Sequence, residues 1–195
     1  MMKSRSKSKS MVLLMLLAAS CAAMAQGRPD AAKLIAAQQQ ALQKLAFMDG
    51  VWRGPATTTL ANGDKHVITQ TERIGPFLDG AVKVIEGRGY EADGRVAFNA
   101  FATISFDPAT NAYSMRSYAQ GNKGDFVVTA SDDGFSWEIP AGPMIIRYTT
   151  VIKGGVWKEV GDKIFPNKEP IRFFEMELKR LGDSTWPAAG AVSAK

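Results

Sequence analysis

Four polar side chains on strand-like segments have the chemistry to hold a ligand: Arg116, Tyr118, Tyr148 and Arg172. Strand alternation places Arg116 on the same face as Tyr118, and Arg172 on the same face as Phe174. If these faces point inward, an arginine can bind a ligand carboxylate in bidentate fashion while aromatic rings cover the apolar part. The pattern therefore predicts a site for an amphipathic molecule.

A structural role for the same arginines is the alternative, because buried cations are usually paired. The candidate partners are three strand carboxylates, Glu72, Glu86 and Glu138. Trp52 is a further candidate lining residue, although large aromatic side chains more often pack a core than bind a ligand.

No catalytic constellation accompanies these residues. The single histidine, His66, flanks the Asn62-Gly63 turn, and no Gly-x-Ser-x-Gly segment presents a serine nucleophile. Asp132-Asp133-Gly134 is typical of a hairpin turn rather than of a calcium loop, since no further spaced oxygen ligands follow. The sequence predicts no catalytic residue, no metal site and no cofactor, and it does not favour an enzyme.

The first 25 residues are typical of a signal peptide. Basic residues from Lys3 to Lys9 precede an apolar run over 11–19, and Ala23-Met24-Ala25 fits a cleavage site. We therefore expect an exported, periplasmic protein with no transmembrane segment after processing. In the alternative, the segment ending at Cys21 is a lipobox and the protein is a lipoprotein anchored there.

Removing that leader changes the charge. The chain has 24 Lys and Arg against 19 Asp and Glu, a net of +5. Four of the cations lie in the leader, so 20 remain against 19 and the net falls to +1. A nucleic-acid-binding surface loses its main support, and no nucleic acid is predicted as a partner.

The elements that must position the candidate residues follow from the hydrophobic period. Residues 26–48 contain the helix, where apolar residues recur at helical spacing over 30–47. Residues 49–181 alternate with period 2, interrupted by nine turn signals, and residues 182–195 are expected to form a disordered tail in which Trp186 alone can dock. The predicted strands are 51–60, 65–75, 81–90, 95–106, 112–119, 125–131, 135–139, 144–152, 156–164 and 171–181.

Short serial connections between about ten strands favour antiparallel pairing, because parallel strands need long crossovers. A sandwich and a closed barrel both satisfy this pattern. Hairpins in sequence favour the up-and-down barrel, which also removes exposed strand edges. The predicted fold is all-β, a ten-stranded antiparallel barrel with one N-terminal helix.

Several segments carry a family resemblance. Gly50-Val51-Trp52, at the start of the first strand and after a helix, resembles the entry motif of calycin-like barrels of the lipocalin and nitrobindin type, in which the tryptophan closes one end. The continuation resembles the bacterial family called domain of unknown function 1579. The matching segments are Thr71-Glu72-Arg73, Phe77-Leu78-Asp79-Gly80, Glu86-Gly87-Arg88-Gly89 and the stretch from Phe106 to Tyr113. The resemblance implies a calycin-like barrel and supplies no activity.

Nitrobindin-type barrels bind haem through a histidine near the end of the chain. The corresponding strand here, Ile171 to Leu181, contains no histidine. Haem is therefore not predicted. The leading functional hypothesis is a barrel that binds a small hydrophobic or amphipathic ligand in its interior. The alternative is a solidly packed barrel that serves as a protein–protein interaction module in the cell envelope.

Overall fold

The computed structural model describes residues 30–189 and residue 192, so the predicted signal peptide and Cys21 lie outside the described residues. Within them the chain forms one α-helix, α1 (Ala31–Gln43), two short 3-10 helices (Ala46–Met48 and Leu78–Gly80) and ten strands. The strands are β1 (Gly50–Thr59), β2 (Lys65–Phe77), β3 (Val82–Tyr90), β4 (Val96–Asp107), β5 (Ala112–Ala119), β6 (Asn122–Ala130), β7 (Gly134–Ala141), β8 (Met144–Lys153), β9 (Val156–Ile164) and β10 (Ile171–Gly182).

These strands close into a barrel. Each strand pairs antiparallel with the next along the chain, and β1 pairs antiparallel with β10. The predicted all-β, ten-stranded up-and-down barrel with one helix near the N-terminus is confirmed. Most strand boundaries differ by no more than two residues from the prediction, and the largest difference is at β6. Gln120 and Gly121 both adopt positive φ and form a two-residue hairpin turn. Strand β6 consequently begins at Asn122, not at the predicted residue 125.

The barrel has two unlike ends. We call the end that carries the turns 60–64, 91–95, 120–121, 142–143 and 165–170 the open end, and the other the closed end. At the closed end Leu42, Leu45 and Met48 are buried. The Tyr113 hydroxyl of β5 donates to the carbonyl of Ala41 at 2.8 Å. The second half of α1 and the following 3-10 helix thus cover this end.

Helix α1 begins where the sequence predicts. The Asp30 carboxylate accepts a hydrogen bond from the backbone N–H of Ala32 at 3.1 Å, which satisfies one of the free donors at a helix start. The Gln39 amide donates to the carbonyl of Asp79 at 2.8 Å, in the turn between β2 and β3. No helix among residues 30–189 combines the length and the apolar character needed to cross a membrane.

Trp52 lies in the core at the closed end. Its side chain is buried, its indole N–H donates to the carbonyl of Met48 at 2.9 Å, and its ring meets that of Trp157 edge-on at 5.7 Å. The Arg180 guanidinium carbon lies 6.0 Å from the centre of the Trp52 ring. Trp52 therefore connects the 3-10 helix Ala46–Met48 to the core at the closed end of the barrel.

The segment predicted as a disordered tail makes a defined contact through Trp186. The Arg73 guanidinium of β2 lies 4.5 Å from the centre of the Trp186 ring. The carbonyl of Trp186 lies so close to Gly75 that a Cβ there would come within 2.0 Å of the oxygen. Gly75 thus allows the chain after β10 to pack against β2.

A buried ion pair also lies at the closed end. The Lys83 ammonium on β3 is 3% exposed and donates to the Asp49 carboxylate, which is 31% exposed. Burial lowers the pKa of Lys83, and the Asp49 charge opposes that effect. The two partners therefore depend on each other unequally: Asp49 retains water, whereas Lys83 has Asp49 as its countercharge.

We expect Asp49→Asn to destabilise the protein more than Lys83→Met. Removing the carboxylate leaves a buried cation uncompensated, which costs about 3–5 kcal/mol, whereas an apolar side chain of similar volume at position 83 costs about 1 kcal/mol or less. Urea denaturation at pH 7 measures both. The double variant should resemble Lys83→Met, and equal losses in the two single variants would contradict the asymmetry.

Candidate functional site

A cavity of about 480 Å³ occupies the barrel interior. At its base Met115, Trp157 and Met176 are buried. At its upper rim Thr58 and His66 adjoin the first open-end turn and are at least partly exposed. The cavity therefore runs from the buried core towards the open end, and the barrel is not packed solid.

Small residues are concentrated on one side of the cavity and aromatic residues on the other. The wall on β3 to β5, which we call the small-residue wall, includes five small residues: Gly87, Ala100, Ala102, Ser117 and Ala119. Ile85, Phe98, Phe101 and Met115 line the cavity from the same strands. The wall on β7 to β10, which we call the aromatic wall, is dominated by six aromatic residues: Phe135, Trp137, Tyr148, Trp157, Phe173 and Phe174. Small side chains on neighbouring strands leave the space that the aromatic rings opposite do not fill.

The aromatic wall is internally ordered around Tyr148. Its ring stacks on that of Trp137 at 4.6 Å with 14° between the planes, and it meets Phe174 edge-on at 5.9 Å. Burial and the charge of Glu159 raise the pKa of Tyr148 to about 12. The phenol therefore stays protonated at neutral pH and offers the cavity a hydroxyl.

Two carboxyl groups face the same cavity. Strand alternation turns Gln70 and Glu72 of β2 inward, together with the buried Ile74. Alternation on β9 does the same for Glu159, next to Trp157. Burial in an apolar interior is costly for such groups unless they are paired or protonated.

The surroundings of Glu72 favour its protonated form. Burial, opposed by the hydrogen bond from Gln70 and reinforced by the charges of Glu159 and Glu86, raises the pKa of Glu72 to about 8. The Gln70 amide donates to Glu72 Oε1 at 2.7 Å. Space for this carboxyl depends on Gly87, where a Cβ would lie 2.7 Å from Oε1 and 2.9 Å from Oε2.

Glu159 is held by two donors. The Thr150 hydroxyl donates to Glu159 Oε2 at 2.7 Å, and the Trp157 indole N–H donates to the same oxygen at 3.4 Å. Burial raises the pKa of Glu159, and these two hydrogen bonds oppose the rise. Both carboxyls are therefore more easily protonated than exposed glutamates, and the charge of Glu159 adds to the cost of ionising Glu72.

The structure separates the residues proposed from sequence. Tyr148 lines the cavity, whereas Trp52 lies below it in the closed-end core. Arg116 and Tyr118 lie on the outer face of β5, because it is Met115, Ser117 and Ala119 that point inward. The expected inward face of this strand is thus the opposite one.

Arg172 lies outside for a different reason. A β-bulge at Phe173 places Arg172 opposite Asp162 and Phe174 opposite the adjacent Gly161, so one extra residue interrupts the alternation. Strand alternation predicted that Arg172 would share the face of Phe174. Because of the bulge, Arg172 lies on the opposite face. Its guanidinium pairs with Asp162 at 2.6 Å on the outside of the barrel.

The arginines are paired, but not with the carboxylates proposed for them. Arg116 makes a bidentate pair with Asp125 at 2.7 and 2.9 Å, and both side chains are exposed. Glu72, proposed as an arginine partner, instead faces the cavity. Sequence reasoning missed Gln70, Glu72 and Glu159 as lining residues, although their alternation with Ile68, Ile74 and Trp157 was the available signal.

The donor set at the cavity does not fit haem. His66 stands at the rim, and its Nε2 lies 3.2 Å from both carboxylate oxygens of Glu91. The last strand offers no histidine. Among residues 30–189 no three His, Cys, Asp or Glu side chains converge to hold a metal ion.

A closed ten-stranded antiparallel barrel around an internal cavity defines a calycin-like β-barrel protein. Rv2717c from M. tuberculosis has this fold, with a TM-score of 0.54 and 11% sequence identity over 72% of this chain and 96% of that one. The S-type phycobiliprotein lyase CPES from Guillardia theta aligns with a TM-score of 0.49 and 6% identity, over 75% of this chain and 92% of that one. No family model and no curated protein matches the chain. At 11% identity the likeness to Rv2717c shows the fold alone.

The two interior carboxyls predict an unusual pH dependence of stability. A folded-state pKa of about 8 for Glu72, against 4.5 when unperturbed, means that the folded protein holds a proton that the unfolded chain releases. The free energy of unfolding should therefore fall between about pH 5 and pH 8, by up to about 1.4 kcal/mol per pH unit.

Glu72→Gln should flatten this slope, and Glu72→Gln/Glu159→Gln should flatten it further. Urea denaturation at four pH values between 5 and 8 measures the slope. Glu177→Gln, on the outer face of β10, is the matched control and should follow the wild type. A wild-type slope retained in the double variant would show that other groups cause it.

Proposed function

We propose that the protein binds a small hydrophobic or amphipathic molecule inside the barrel. The observation that supports this proposal is the cavity of about 480 Å³ between a small-residue wall and an aromatic wall. Internal space of this size, lined mainly by apolar side chains with a few polar groups, is typical of small-molecule sites. A barrel that served only as a packed scaffold would gain stability by filling that space.

The rest of the proposal concerns where binding takes place. The basic, apolar and small-residue segments of the first 25 residues support export to the periplasm. The order of the motifs from Gly50 to Tyr113 supports membership of the domain of unknown function 1579 family. A ligand carried in the envelope would be collected and released through the open end, where the upper cavity residues are exposed.

A cavity-filling variant tests the binding site. Ala100→Phe places a ring in the cavity, while Val127→Phe places one on the outer face of β6, where the native side chain is 71% exposed. The probe is the uncharged dye N-phenyl-1-naphthylamine, whose fluorescence rises in apolar surroundings. We expect wild type and Val127→Phe to bind it equally, and Ala100→Phe to bind it at least about tenfold more weakly, since the ring removes apolar contact area.

Native mass spectrometry of the mature protein from its own envelope fraction complements the dye. A stoichiometric lipid-like or aromatic mass, released on denaturation, would identify the ligand class. Equal dye affinity in Ala100→Phe and Val127→Phe would place the dye elsewhere and refute the interior site. A bare protein mass together with no dye binding would instead favour the envelope interaction module.

A further inference from the structure

The charge inside the cavity is of one sign. Among the described residues that line it, Glu72 and Glu159 are acidic and none is a lysine or arginine. His66 stands at the rim beside Glu91, and Arg116 and Arg172 are paired on the outside. The interior thus disfavours the anionic ligand that inward arginines would have bound, because it offers that ligand no cationic partner and a buried unpaired anion is costly.

Each of the two carboxyl groups also has one oxygen that is available to accept a hydrogen bond from a ligand. Within residues 30–189 the hydrogen bond to Glu72 uses Oε1, and the two to Glu159 use Oε2. No hydrogen bond from these residues reaches Glu72 Oε2 or Glu159 Oε1. In this part of the chain, every fully buried side-chain oxygen or nitrogen has a hydrogen-bond partner. Because these two oxygens have none, they are not fully buried and remain accessible. A ligand with N–H donors would complete both carboxyls.

Neighbouring residues provide space for both carboxyl groups and fix their orientation in the cavity. Gly87 provides space that any other side chain would take from Glu72. Gln70, which is buried, orients the same carboxyl. On the other side Thr150, also buried, holds Glu159. Two acidic groups positioned in an apolar cavity destabilise the free protein, which is a common property of binding sites.

We propose that the cavity selects ligands that carry a protonated nitrogen on an aromatic or aliphatic body, with Glu72 and Glu159 as the countercharge. This inference rests on the proposed interior binding and names the class of molecule. The ammonium group donates to the free carboxyl oxygens, while the body lies between the small-residue wall and the Trp137–Tyr148 stack. Aromatic faces add to the attraction, because their electron-rich surfaces favour a nearby cation.

Binding of such a cation would reverse the effect of burial on the pair. A positive charge beside a carboxyl stabilises its ionised form, so the ligand favours the carboxylates that the empty cavity disfavours. An alcohol of the same shape can donate a hydrogen bond to a carboxyl oxygen, but it lacks the attraction between a positive charge and the carboxylates. A carboxylate of the same shape gains no countercharge, because the two interior groups that can ionise beside it are both acidic.

Three naphthalenes of similar shape separate these cases: 1-naphthylmethylamine, protonated at pH 7.5, neutral 1-naphthalenemethanol and anionic 1-naphthoate. Isothermal titration calorimetry at pH 7.5 gives each Kd. We expect the amine to bind at least about tenfold more tightly than the alcohol, and the anion to bind most weakly. In Glu72→Gln/Glu159→Gln the amine and alcohol affinities should agree within about threefold.

The controls distinguish this inference from the proposal on which it rests. Glu177→Gln should keep the wild-type preference, and unchanged alcohol affinity in the double variant shows that its cavity is intact. If the double variant does not fold, the single variants Glu72→Gln and Glu159→Gln should each reduce the preference for the amine. Wild-type protein that binds the alcohol as tightly as the amine would overturn the charge selection and leave interior binding standing. No binding of any naphthalene, together with no dye binding, would overturn both.

Discussion

Closure of the sheet by β1 and β10 is the constraint on which the rest of the structure depends. The first and last strands pair from Val51 opposite Gly182 to Thr58 opposite Phe174, so none of the ten described strands is left at the edge of an open sheet. The approach is close at Gly54, where a Cβ would come within 2.0 Å of the carbonyl of Glu177. Only a closed sheet separates an inside from an outside, and only then can alternation place carboxyls in an interior.

The interior is divided by function along the barrel axis. At the closed end Trp52 packs edge-on against Trp157, and the buried Lys83 is paired with Asp49. Towards the open end, small residues on β3 to β5 leave a cavity. In that cavity Glu72 and Glu159 each accept hydrogen bonds at only one of their two carboxyl oxygens within the described residues. Stability is concentrated at the closed end, and the part towards the open end is left incompletely packed, which is how a small barrel can be both folded and hollow.

Sequence alone predicted the fold well because turns and alternation are local. Asn62-Gly63, Asp93-Gly94 and the other turn signals each mark an observed hairpin, and the ten strands follow. The lining of the cavity was harder to predict, because it depends on which face of each strand points inward. Tyr148 was named from sequence and lines the cavity, whereas Glu72 and Glu159 were not named as lining residues, since only the closed barrel shows that a cavity lies beside them. For Arg172, parity failed at a bulge that has no composition signal.

That bulge gives chain length an influence on ligand chemistry. Phe173 is the extra residue that turns Arg172 towards Asp162 and away from the carboxyls. Removing Phe173 would make Arg172 the direct neighbour of the inward Phe174 and would keep Arg172 on the outer face. One residue inserted into β9 opposite Phe173 would instead restore regular pairing and turn Arg172 to the inner face together with its partner Asp162. A single insertion on the neighbouring strand would therefore move an ion pair from one side of the barrel wall to the other, with every existing residue unchanged.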